Sequence, residues 1–90
     1  MIYFVTNNNT IKTEYQKITT KYSLNLIKDW EIIQFDTETS GLDPHIDKLL
    51  CMQLGNDAQD VRIVIDTTTV KVIKYKKILE NKLIIGHNLK

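Results

Sequence analysis

The chain is poor in cysteine and in long apolar runs. Cys51 is its single cysteine, so no disulfide can form within the chain, a pattern that fits a reducing compartment. The apolar runs are only a few residues long, far short of the roughly 20 that a membrane-spanning helix needs. The first residues lack the basic start and long apolar stretch of a signal peptide. These absences predict a cytoplasmic protein with no membrane partner.

Arginine is nearly absent as well. Arg62 is the single arginine among 12 cationic residues, and the net charge is only +1. Little bidentate recognition of bases or phosphates is therefore available, and affinity for a polyanion must come from local patches or metal ions. A hydrophobic content of 42% and a charged content of 26% are typical of a globular chain. The 90 residues are enough for one small domain.

Short apolar segments bounded by turn residues predict a series of strands. They lie at 2–5, 31–37, 48–54, 61–66 and 83–85. The turn-rich connection 55–60 predicts an antiparallel hairpin between the third and fourth of these strands. Segment 31–37 is apolar on both faces as far as Phe35, which predicts a central strand covered on both sides. The polar stretch before Tyr22 has no clear period, and 40–47, with Gly41 and Pro44, is predicted to be a loop.

Two helices are predicted between the strands. Ser23 is a candidate N-cap for a helix over 24–29, and the threonines at 67–69 are candidate caps for a helix over 70–81. Asn81 can end the second helix in the left-handed conformation. The lysines of this segment are typical of a solvated helix face; they are Lys71, Lys74, Lys76, Lys77 and Lys82. The alternative interpretation is that they form a surface that attracts phosphates.

This order of elements predicts an α/β fold with a mixed sheet. A helical crossover makes the last strand parallel to a central one, most simply the strand at 31–37. Asp36 and Glu38 follow the apolar part of that strand and, two residues apart, project from one face. Two carboxylates on one face repel each other unless a cation lies between them, and hard oxygen ligands suit Mg²⁺ or Mn²⁺. The alternative is a turn residue at Asp36 and a solvated Glu38.

The motif FDTETSGLDP at 35–44 resembles the first exonuclease motif of the DEDD superfamily of 3′–5′ exonucleases. LIIGHNLK at 83–90 is similar to the opening of the second motif, and KLLCMQLG at 48–55 lies where the second strand of the family is expected. The resemblance covers about 31–90 and is strongest to the proofreading domain of family A DNA polymerases. It implies a ribonuclease-H-like mixed sheet with flanking helices, preceded by a lead-in strand and helix over 1–30.

The resemblance assigns roles to individual residues. Asp36 and Glu38 match the first two metal-binding carboxylates, which together with others hold two Mg²⁺ or Mn²⁺ ions. The remaining matches are to positions near the 3′-terminal nucleotide of a single strand; they are Thr37, Thr39, Leu42, His87 and Asn88. The resemblance favours DNA over RNA as the substrate. Leu42 could instead anchor its turn, Asn88 could cap the strand end, and His87 is interpreted as adjacent to the site and not as the catalytic base.

In the family the second motif continues to a carboxylate, which would fall two residues beyond Lys90, and the third motif lies further downstream. The resemblance therefore implies a domain that is incomplete at its C-terminal end and inactive as 90 residues alone. Three hypotheses follow: the first part of an exonuclease domain attached to a polymerase, a non-catalytic binding or assembly module, and a split enzyme completed by a second chain. A ribonuclease-D-like RNA exonuclease is the alternative to the DNA enzyme.

Overall fold

Six strands and two helices make up the computed structural model, which describes residues 1–39 and 49–87, with only the backbone at 39, 49 and 87. The elements in chain order are β1 (Ile2–Val5), β2 (Gln16–Lys17), α1 (Thr20–Ile27), β3 (Ile32–Thr39), β4 (Leu49–Asn56), β5 (Val61–Asp66), α2 (Ile73–Leu79) and β6 (Leu83–His87). Among these residues no helix is long and apolar enough to cross a membrane. The predicted loop at 40–47 lies outside them.

The strands form one mixed sheet in the order β2-β1-β5-β4-β3-β6. β3, β4 and β5 form an antiparallel meander, whereas β1 pairs in parallel with β5 and β6 pairs in parallel with β3. The predicted α/β fold, the hairpin between β4 and β5 and the parallel last strand beside β3 are therefore confirmed. This arrangement is consistent with a ribonuclease-H-like domain.

The hydrophobic core lies on one face of the sheet, between the strands and both helices. Its fully buried members come from four strands and from the helical segments; they are Val5, Ile27, Trp30, Ile33, Met52, Leu54, Ile63, Ile65, Val70 and Tyr75. On the other face, Ile32 and its neighbours Leu83 and Ile85 on β6 are 46%, 62% and 51% exposed. The prediction that β3 is covered on both sides is therefore wrong for the described residues.

The first helix begins four residues before the predicted start. Thr19 is its N-cap, and the Thr19 hydroxyl accepts the Tyr22 N–H at 3.0 Å. Ser23 is instead a fully buried helix residue whose hydroxyl bonds the Tyr75 hydroxyl at 2.6 Å and the Thr20 carbonyl at 2.6 Å. The Ser23 side chain thus joins the two helices, which is why it is not available as a cap.

The second helix is shorter than predicted because the threonines before it bond a carboxylate. Asp66 is only 7% exposed and accepts hydrogen bonds from Thr6, Thr68 and Thr69. Burial raises the pKa of Asp66, but these hydrogen bonds outweigh it and hold the pKa below its usual value. The helix starts at Ile73, with no side-chain cap. The carboxylate therefore ties β1 to the end of β5.

Three details at and beyond the ends of α2 also differ from expectation. Among the described residues other than glycine, Asp60 alone has a positive φ, so Asn81 is not a left-handed cap. Val72, an apolar residue within the predicted helix 70–81, is 41% exposed. Lys82 does not face outward with the other lysines, because its Nζ donates to the carbonyls of Lys28 and Trp30. This bond fastens the start of β6 to the segment before β3.

Candidate active site

Asp36 and Glu38 lie on the open face of the sheet, toward the C-terminal end of β3, which is paired on both sides by β4 and β6. The pairing of β3 with β4 places Asp36 opposite Gln53 and Glu38 opposite Cys51. Side chains two residues apart share a face, and directly paired residues of neighbouring strands share it as well. The two carboxylates, Gln53 and Cys51 therefore form one polar cluster on the face opposite the core.

The backbone holds the Asp36 side chain in place. Asp36 is half-buried, and its Oδ1 accepts the N–H of Thr37 at 2.8 Å. Glu38 is exposed, and the register with β4 shifts directly after it, between Glu38 and Thr39. Such irregularities re-aim side chains and are common beside active sites. Asp36 is thus held by the backbone, whereas the Glu38 side chain is exposed to solvent.

The cluster has a negative electrostatic potential. Burial raises the pKa of the Cys51 thiol, and the negative charges of Glu38, Asp36 and Asp66 raise it further, against a lowering backbone hydrogen bond from Glu38. Within the described ranges, no lysine or arginine lies within ion-pair distance of Asp36 or Glu38. Cys51 itself is only half-buried, so it is not the core residue that an apolar run of sequence indicates.

The other predicted site residues are only partly brought to this cluster. The Thr37 side chain belongs to the opposite face, paired with Met52, so its contribution is the N–H that binds Asp36. His87 pairs with Asp36 in the register of β6 and β3, which places its backbone beside the carboxylate. Thr39 is the last residue of β3, immediately after Glu38 in sequence. Leu42 and Asn88 lie outside the described residues.

The described residues do not form a complete metal-binding group. In the part of the chain that the structure describes, no three side chains of the His, Cys, Asp and Glu types are grouped to hold a metal ion. Asp36 and Glu38 alone supply oxygen ligands of the kind that Mg²⁺ and Mn²⁺ prefer. The pair therefore fits two ligands of such an ion and not a whole coordination shell.

Gln53 and Cys51 are the members of the cluster that sequence reasoning missed. Alternation along β4 places both on one face, but it does not say which residues of β3 they pair with. That register is set across the long connection between β3 and β4, and not by a tight turn. Only the pairing of β3 with β4 reveals a glutamine beside Asp36.

A family model described as 3′–5′ exonuclease matches residues 10–90. No curated protein and no solved structure gives a significant match to the chain. The family match covers β2 to β6, including the strand with the carboxylate pair and the two strands that flank it. The chain belongs to the 3′–5′ exonuclease family.

Proposed function

We propose that the chain is part of a metal-dependent exonuclease that removes nucleotides from the 3′ end of a single strand, with Asp36 and Glu38 as its metal-binding carboxylates. One observation carries the proposal: two carboxylates share the open face of an interior strand with no cation beside them among the described residues. Leaving such a pair uncompensated is unfavourable, and a divalent ion relieves the repulsion. The family match supports a nucleic-acid substrate.

The two carboxylates differ in what they can do. Asp36, held by the Thr37 N–H, presents its second oxygen, Oδ2, from a fixed position. Glu38 is exposed and can accept a hydrogen bond from a water while its other oxygen binds an ion. When bound, Mg²⁺ or Mn²⁺ supplies an acidified water and a positive charge that stabilises the leaving 3′ oxygen. Asp36 thus acts chiefly as a positioned ligand and Glu38 as the ligand that orients water.

We assign the terminal nucleotide to the residues around this end of β3. By resemblance to the family motifs, Leu42 would pack against the terminal base and Asn88 would help to hold the strand, and His87 lies next to Asp36 in the register of β6. Apolar packing against a base is tolerant of sequence, as removal of any terminal nucleotide requires.

Residues 31–90 form the first half of this exonuclease domain, and residues 1–30 are its lead-in, whose strand β1 pairs directly with β5.

The motif favours DNA over RNA and a proofreading role beside a DNA polymerase, since Ser-Gly-Leu-Asp-Pro follows Thr39. The second candidate is a non-catalytic nucleic-acid-binding or assembly module. It is favoured by the lack of a third metal-binding group among the described residues. The two candidates differ in one property: only the enzyme consumes its substrate.

A directional degradation assay tests the proposal. The complete exonuclease domain to which we assign this chain is incubated with single strands that are labelled at the 5′ or the 3′ end. Each reaction contains either Mg²⁺ or EDTA. We expect stepwise shortening of the 5′-labelled strand, immediate release of the 3′ label, and no reaction in EDTA. Residues 1–90 alone should bind without hydrolysis. Shortening from the 5′ end, or equal rates in EDTA, would contradict the proposed reaction.

A further inference from the structure

The positive charge of the chain is concentrated on α2 and its flanks. Segment 71–82 contains five lysines and one glutamate, a net charge of +4 in a chain whose total is +1. The remaining residues therefore carry a net −3, and the carboxylate cluster around Cys51 lies among them. Substrate phosphates and the Asp36–Glu38 pair repel each other, so attraction for a polyanion must come from another surface.

Four of the five lysines are free to provide that attraction. Lys71, Lys74, Lys76 and Lys77 are exposed, whereas Lys82 is fastened to backbone carbonyls. Within the described ranges, no carboxylate lies within ion-pair distance of the four. Their charges are therefore not neutralised by the protein.

Three of the four form one stripe along the helix. The Lys74 N–H donates to the Lys71 carbonyl, so the turn begins before Ile73. Residues three apart on such turns are neighbours on the surface, which places Lys71, Lys74 and Lys77 in a row. Tyr75 packs one side of α2 into the core, whereas all three lysines are exposed, so the row lies along the solvent-accessible surface of the helix.

We propose that Lys71, Lys74 and Lys77 form a track for the phosphodiester backbone of a single strand, separate from the carboxylate pair, which lies on the other face of the sheet. We call these three residues the α2 track. This inference rests on the proposed function, because the proposed function identifies the polyanion as a nucleic acid. Lysines act on phosphates as point charges, so the track supplies affinity without reading sequence.

Binding of a fluorescein-labelled oligothymidylate to the 90-residue chain, measured by anisotropy in EDTA, tests the track without the metal site. The triple variant K71Q/K74Q/K77Q is compared with K12Q/K21Q/K28Q, which removes the same charge from exposed lysines elsewhere. We expect the first triple to weaken binding about tenfold or more and to flatten the salt dependence of log K by about two units, roughly 0.7 for each lost contact. The control should change affinity less than threefold.

Equal effects of the two triples would overturn the track, because net charge alone would then explain binding. Wild-type affinity in K71Q/K74Q/K77Q would overturn it as well. A single-stranded RNA should show the same loss, since the phosphates carry the interaction; a loss confined to DNA or to RNA would contradict backbone contact. Circular dichroism establishes that each variant is folded. Failure of the track leaves metal binding by Asp36 unchanged, so the two proposals fail separately.

Discussion

Replacement of Asp36 by asparagine is expected to lower the rate of metal-dependent 3′-end hydrolysis by about a thousandfold. The asparagine carbonyl can still accept the Thr37 N–H, so local geometry is kept while the negative charge is lost. Stabilisation of the transition state by a bound ion amounts to several kcal/mol, and about 4 kcal/mol corresponds to a factor of about 1,000. Single-turnover hydrolysis of a 5′-labelled single strand in Mg²⁺ by the complete exonuclease domain, to which we assign this chain, measures the change.

Asp57→Asn is the matched control for this substitution. Asp57 is an exposed carboxylate at the opposite end of the meander, where its Oδ2 accepts the Gln34 side-chain N–H at 2.7 Å. Its loss should change the rate less than twofold, while both variants retain the wild-type amide spectrum. Should Asp36→Asn keep more than a tenth of the wild-type rate, Asp36 would not be a metal-binding carboxylate of this enzyme.

Replacement of Tyr75 by alanine is expected to remove much of the stability of the fold. Tyr75 is fully buried in the core, and its hydroxyl bonds Ser23 of the other helix at 2.6 Å. Deletion of a buried aromatic side chain costs about 3–5 kcal/mol, against a total of about 5–15 kcal/mol for a domain. We expect the melting temperature to fall by roughly 15 °C or more, since each kcal/mol shifts a chain of this size by about 4–8 °C.

Two further variants separate the causes of that loss. Ile73 lies on the same helix but is 69% exposed, so Ile73→Ala should shift the melting temperature by only a few degrees. Tyr75→Phe removes the hydroxyl alone and should cost about 1 kcal/mol. Thermal melts by circular dichroism compare the three. If Ile73→Ala and Tyr75→Ala were equally destabilising, the core would not lie where the structure has it.

Local patterns were sufficient to predict the strands of the meander and their neighbours. β1 and β5 occupy the predicted residues, because alternating or continuous apolar runs end at clear turn signals there. The same runs do not reveal what covers them. Ile32 and Leu83 are as apolar as core residues yet lie on the open face, since burial depends on where the helices pack and not on the strand itself.

Helix boundaries required tertiary information. Thr19 and Ser23 are both good N-cap residues, and only the contact of Ser23 with Tyr75, 52 positions away, decides between them. The threonines before α2 bond Asp66 for a similar reason, because a buried carboxylate needs donors more than the helix needs a cap. Local preference therefore identified Ser23 and the threonines as hydrogen-bonding residues, but it did not identify the groups to which they bond.

The candidate site divides in the same way. The shared face of Asp36 and Glu38 follows from the two-residue period of a strand. The proximity of Gln53 and Cys51 depends on the register of β3 with β4, which no local signal specifies. The half-buried position of Cys51 beside Glu38 was likewise invisible in a sequence where it follows two leucines.

Mn²⁺ titration of the 90-residue chain, followed by paramagnetic broadening of backbone amide signals, is the most direct test of metal binding by Asp36 and Glu38. Such binding predicts that broadening at low Mn²⁺ centres on 36–38 and extends to Gln53 and Cys51, which pair with Asp36 and Glu38 across the strands. Asp36→Asn should abolish this pattern. Broadening centred on the exposed carboxylates Asp57 and Asp60, and unchanged in Asp36→Asn, would contradict the assignment of the metal site.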